Sequence, residues 1–164
     1  MRVWARGKTA RGKTARSRGA EGVRLAGTRV LVVEDEALVS MLVEAYLDEL
    51  GCEVVGVAPR LEDALEKART LALDAAVLDV NLAGRLSYPV AELLRSRGVP
   101  FVFATGYGMA GLPDGLRGAP VLAKPFRQDQ LAAALCATRS AARGAAQDAA
   151  RDAGPGTAEG DATP

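Results

Sequence analysis

The chain has 164 residues, is 49% hydrophobic and carries a formal charge of +1, which suits one domain with a full core. No apolar run is long enough to span a bilayer, and Cys52 and Cys136 make no disulfide framework and match no metal-ligand spacing. With no histidine either, ordinary reduced thiols in a cytoplasmic protein are expected.

The small net charge hides an asymmetry. Residues 1–27 hold eight basic residues and one acid, a net +7, whereas residues 28–138 are net −5 and the remainder is −1. A nucleic-acid-binding composition is therefore confined to the arm. The first 22 residues, MRVWARGKTARGKTARSRGAEG, contain the tandem repeat RGKTA-RGKTA. They lack the apolar h-region of a secretion signal and the amphipathic pattern of a transit peptide. GKT at 7–9 and 12–14 has neither the upstream glycine nor the flanking strand and helix of a phosphate-binding loop. Residues 1–27 are expected to be disordered. An over-extended translation start or a spacer explains them better than a nucleic-acid tether.

From Thr28 the pattern changes. RVLVV (29–33) predicts a strand, and ALVSMLVEAYLDEL (37–50) a helix with apolar residues at helical spacing and Gly51 as its C-terminal cap. EVVGVA (53–58) is a second strand, LEDALEKARTL (61–71) a second helix, and DAAVLDV (74–80) a third strand. YPVAELLRSRG (88–98) is a helix opened by Pro89 and closed by Gly98. PFVFAT (100–105) and PVLA (120–123) are the last strands, and RQDQLAAALCATRSA (127–141) the last helix. Between those strands GYGMAGLPDGLRGA (106–119) is rich in glycine, so any helix there is short or frayed. Residues 141–164 are Ala/Gly/Asp-rich and expected to be an unstructured tail that extends the last helix only briefly. The alternation predicts an α/β fold with a doubly wound five-stranded parallel sheet in a single domain, residues 28–140.

In such a sheet, ligands bind at the carboxyl ends of the strands where strand order reverses. Glu34 and Asp35 end the first strand, Asp79 the third and Thr105 the fourth, and Lys124 follows the fifth. Asp79 could merely cap its strand. Three crowded carboxylates, however, repel each other and are costly to desolvate without compensation. Mg²⁺, a hard cation taking oxygen ligands, resolves the conflict. Lys124 and Thr105 suit phosphoryl oxygens. The constellation favours Asp79 as a nucleophile for a phosphoryl group.

These residues resemble the receiver domains of two-component response regulators, which have a flavodoxin-like fold. VVEDE matches the acidic pair, VLDVNL the phosphoacceptor strand, FATG the Thr switch position and LAKPF the Lys-Pro motif. The resemblance implies that Asp79 takes its phosphoryl group from a histidine kinase or a phosphotransfer protein. It also implies that Glu34, Asp35, Asp79 and the Asn81 backbone carbonyl hold Mg²⁺, that Thr105 moves to bind the phosphoryl group, and that Lys124 pairs with it. PFVFATGYG resembles the FATGUY subgroup of single-domain regulators, which act without a DNA-binding output. A receiver of this kind signals by protein–protein contact or serves as a phosphate sink, and its only catalysis is phosphotransfer and autodephosphorylation.

Two departures from the family stand out. Val121 occupies the position where many receivers carry an aromatic switch residue, and the Gly-rich stretch replaces a well-formed fourth helix. Tyr107 and ordering of residues 106–119 are expected to take over the readout. A competing enzyme class is the haloacid-dehalogenase-like phosphatases, which also use a strand-end Asp and Mg²⁺. That chemistry wants a second acid two residues after the nucleophile, and the chain has Asn81 there.

Overall fold

The computed structural model describes residues 25–106 and 112–152. In chain order the elements are β1 (Arg29–Val33), α1 (Ala37–Glu49), β2 (Glu53–Ala58), α2 (Leu61–Thr70), β3 (Ala75–Asp79), β4 (Asn81–Leu82), β5 (Arg85–Leu86), α3 (Tyr88–Ser96), β6 (Phe101–Thr105), β7 (Val121–Ala123) and α4 (Gln128–Asp152). Five strands form one parallel sheet in the order β2-β1-β3-β6-β7, as the sequence predicts. β4 and β5 make a separate antiparallel hairpin.

The period of two along each strand splits the core into two layers. Leu31, Val33, Ala76, Leu78 and Phe103 face α2 and α3, where Leu61, Ala64, Ala68, Val90 and Leu94 meet them. Val30, Val32, Val77 and Val102 face α1 and α4, where Val43, Leu47, Leu131 and Leu135 meet them. β1, β3 and β6 read as unbroken apolar runs because both of their faces are covered. α1 stops as its sequence directs: Gly51 adopts φ +75, the left-handed conformation that ends a helix at little steric cost.

The chain runs from β1 outward to β2 and then back across β1 to β3, so strand order reverses between β1 and β3. That switch point places the end of β1 beside the end of β3, with Val33 opposite Leu78.

Two expectations need correcting. Residues 25–27 belong to the body: Leu25 is 1% exposed in the α1/α4 core layer, and the Gly27 N–H donates to the Gly51 carbonyl at 2.7 Å. An apolar side chain beside the sheet outweighs the basic composition of its neighbours. At the other end, α4 continues to Asp152, well past the 141 expected. Its sequence there, AARGAAQDAARD, is half alanine, which propagates a helix without tertiary support better than any other residue. The β4–β5 hairpin was not anticipated at all. Of the Gly-rich connection between β6 and β7, residues 107–111 lie outside the described residues, and residues 112–119 contain a 3-10 turn, Asp114–Leu116. Among the described residues, no helix is long and apolar enough to cross a membrane.

Candidate functional site

Glu34 and Asp35 follow β1 directly, Asp79 is the last residue of β3, and one oxygen from each carboxylate lies within 4.8 Å of the others. Lys124 comes first after β7, and its backbone N–H donates to the Thr105 carbonyl at 2.8 Å. From there its Nζ donates to Glu34 Oε2 and to Asp79 Oδ2, each at 2.6 Å. Glu34, Asp79 and Thr105 are buried, and Asp35 is half-buried.

The electrostatics match this crowding. Burial pushes the Glu34 carboxyl above the usual carboxylate range, and its hydrogen bond from Lys124 recovers only part of the shift. Burial opposes the charge on Lys124, yet hydrogen bonds to Asp79 and Glu34 outweigh it and hold the ammonium above the ordinary lysine value. One ammonium against three carboxylates leaves the cluster two negative charges in excess. A divalent cation removes that excess, and an all-oxygen donor set suits Mg²⁺. The residues present therefore fit the metal.

Backbone amides complete the site. The Glu36 N–H donates to Glu34 Oε1 at 3.2 Å and the Asn81 N–H to Asp79 Oδ1 at 3.1 Å. From the β4–β5 turn, the Ala83 N–H donates to Asp35 Oδ2 at 2.9 Å and the Gly84 N–H to Asn81 Oδ1 at 2.8 Å. Asp35, Asp79, Asn81, Ala83, Gly106 and Lys124 line a cleft of about 610 Å³, with Val39, Leu42, Val43 and Phe126 as its apolar wall.

The structure brings Glu34, Asp35, Asp79 and Lys124 into one cluster, as the strand-end argument requires. Asn81 borders the same cleft. Thr105 ends the neighbouring strand, where Asp79 pairs with Ala104, and lies 2% exposed behind the cleft surface. Tyr107 lies outside the described residues. Sequence reasoning missed Ala83 and Gly84. The one local signal is Gly84 in NLAGR, a residue that takes a left-handed turn conformation at no steric cost.

The family model for the response regulator receiver domain matches residues 30–136. The chain belongs to this family. Its receiver is 35% identical over 113 residues to the phyllosphere-induced regulator PhyR of Methylorubrum extorquens, covering 66% of this chain and 42% of PhyR. The solution structure of SdrG from Sphingomonas melonis Fr1 is 44% identical with a TM-score of 0.62, covering 68% of this chain and 96% of SdrG. The receiver domain of the Pseudomonas aeruginosa sensor kinase PA1611 was solved with magnesium coordinated in its active-site cleft. It has a TM-score of 0.62 at 27% identity, covering 70% of this chain and 99% of that one. The chain spans about half the length of the curated relatives it matches. In the receiver, the position two residues after Asp79 is held by Asn81, whose side chain is tied to the Gly84 amide, so the acid that a haloacid-dehalogenase-like phosphatase needs is not there.

Proposed function

We propose that Asp79 accepts a phosphoryl group, in a Mg²⁺-dependent reaction, from a histidine kinase or a histidine phosphotransfer protein. The observation that carries this reading is the placement of Asp79 on an open cleft with Glu34, Asp35 and Lys124 around it. A carboxylate oxygen of Asp79 attacks phosphorus, the new O–P bond forms as the donor's N–P bond breaks, and the released imidazole takes up a proton. Lys124 Nζ, already on Asp79 Oδ2, is in place to follow the phosphoryl oxygens as their charge develops. Mg²⁺ held by Glu34, Asp35, Asp79 and the Asn81 carbonyl would neutralise charge on the transferred group. Thr105, at the end of the neighbouring strand, carries the hydroxyl that would bind the product.

Delivery by a protein donor is supported by the rim of the cleft. Leu38, Met41 and Leu42 on α1 are exposed, with Leu38 at 82%, and Leu42 also lines the cleft. A run of bare apolar side chains beside a charged site fits a partner that covers it during transfer. After transfer, the receiver signals through protein contact or drains phosphate from its kinase.

Intact mass after incubation with acetyl phosphate and Mg²⁺ tests the reaction. One added phosphoryl group is expected, absent without metal and absent in Asp79→Asn. Equal labelling of Asp79→Asn would show that another residue is the acceptor.

A further inference from the structure

We propose that the β4–β5 hairpin is a strap that positions Asp35 for the cation, with the backbone N–H of Ala83 as the positioning group. The inference rests on the metal-site reading above and deepens it.

The two-residue turn Ala83-Gly84 has φ +50 followed by φ +88. A two-residue hairpin turn with both residues left-handed has Asn-Gly or Asp-Gly as its usual solution. A left-handed alanine is uncommon and persists where the surroundings over-determine it. Here the surroundings do so. Asn81 pairs with Leu86 and Leu82 with Arg85, and the Ser87 N–H donates to the Val80 carbonyl at 3.0 Å at the hairpin's base. Leu82 is 3% exposed in the core, and Arg85 forms an ion pair with Glu62 in the first turn of α2. The hairpin is thus tied to the core below, to α2 at its side and to the acidic site at its tip.

At that tip the two left-handed residues turn their amides toward the site. The Gly84 N–H holds the Asn81 side chain, and the Ala83 N–H holds Asp35 Oδ2. Asp35 stands in the connection between β1 and α1. Among the described residues, the Ala83 amide is the hydrogen-bond donor assigned to its carboxylate. Without it the side chain is free to swing into solvent. With it, one oxygen is occupied and the other is left for a cation shared with Glu34 and Asp79. Groups that orient a metal ligand in this way contribute strongly to affinity.

The test is calorimetric titration of Mg²⁺ into the full chain, as wild type, Ala83→Pro, Ala83→Gly, Asp35→Ala and the Ala83→Pro/Asp35→Ala double variant. Proline removes the N–H and cannot adopt positive φ, whereas glycine keeps both. Ala83→Pro is expected to bind Mg²⁺ about tenfold more weakly or worse, and Ala83→Gly within about twofold of wild type. On the Asp35→Ala background, Ala83→Pro is expected to add no further loss, because its effect runs through the Asp35 carboxylate. Wild-type affinity in Ala83→Pro, or an equal loss in both backgrounds, would overturn the strap. Should Ala83→Pro fail to fold, amide exchange decides: the Ala83 amide is expected to be protected in wild type and to lose protection in Asp35→Ala, which has no acceptor for it. Unchanged exchange would overturn the proposal. A folded wild type that binds no Mg²⁺ would overturn the metal-site reading itself, and the strap with it.

Discussion

At the scale of single residues, Lys124 and Arg29 show how differently the chain uses its ion pairs. Lys124 is largely buried between two carboxylates at one end of the sheet, where it offsets part of their negative charge. Arg29 sits at the other end, half-exposed, with Nε and Nη2 donating to Asp74 Oδ2 and Oδ1 at 2.9 and 3.0 Å. The guanidinium pulls the Asp74 carboxyl down to about 2. Since the folded value lies below the unfolded one, this contribution to stability is complete above pH ~4 and is lost as pH falls toward 2. A partly exposed pair is discounted for solvent screening. Asp74→Asn is therefore expected to cost about 1 kcal/mol at pH 7, with the difference from wild type vanishing near pH 2. Urea unfolding at a series of pH values checks it, and a difference that persists to pH 2 would point to packing rather than charge.

At the scale of elements, α4 does two jobs along its length. Its first half carries Leu131 and Leu135 into the core, and from Ala145 to Arg151 every residue is exposed. That outer stretch relies on alanine propensity, interrupted by Gly144. Truncation after Ala142 is expected to lower the helical signal at 222 nm while changing global stability by no more than about 0.5 kcal/mol. A larger loss in urea unfolding would show that the extension is held by the body. Between β6 and β7 the reverse holds. Residues 112–119 have proline and two glycines against helix formation, and only a 3-10 turn forms, with Leu116 as its buried anchor.

At the scale of the whole molecule, the acidic body and the basic arm meet at Leu25 rather than at Thr28. Leu25 packs in the same layer as Val30, Leu47, Leu50 and Cys52, and its carbonyl accepts from the Cys52 thiol at 3.6 Å and from the Thr28 N–H at 2.9 Å. A chain begun at Thr28 is expected to be about 2 kcal/mol less stable than one begun at Arg24, the worth of one buried leucine. Denaturant midpoints of the two chains check this, and equal midpoints would return the boundary to Thr28. The same burial pushes the Cys52 thiol up to about 11, in keeping with a structural rather than a reactive cysteine.

The sequence by itself determined the strand–helix alternation and the identity of the acidic cluster, because both follow from local chemistry. Apolar runs such as RVLVV and AAVLD become buried strands wherever helices cover them, and an acid at the end of such a run lands on the ligand-binding edge. Only the tertiary structure decided which partners meet there. Lys124 reaches Asp79 across 45 positions and Glu34 across 90, and no local pattern specifies that one ammonium spans both. The strap escaped for a related reason. Its polar contacts come from backbone amides, which every residue carries, and they become a site only when the turn folds over Asp35. Leu25 escaped because its basic neighbours set the local composition, whereas its burial depends on α1 and α4 closing over it.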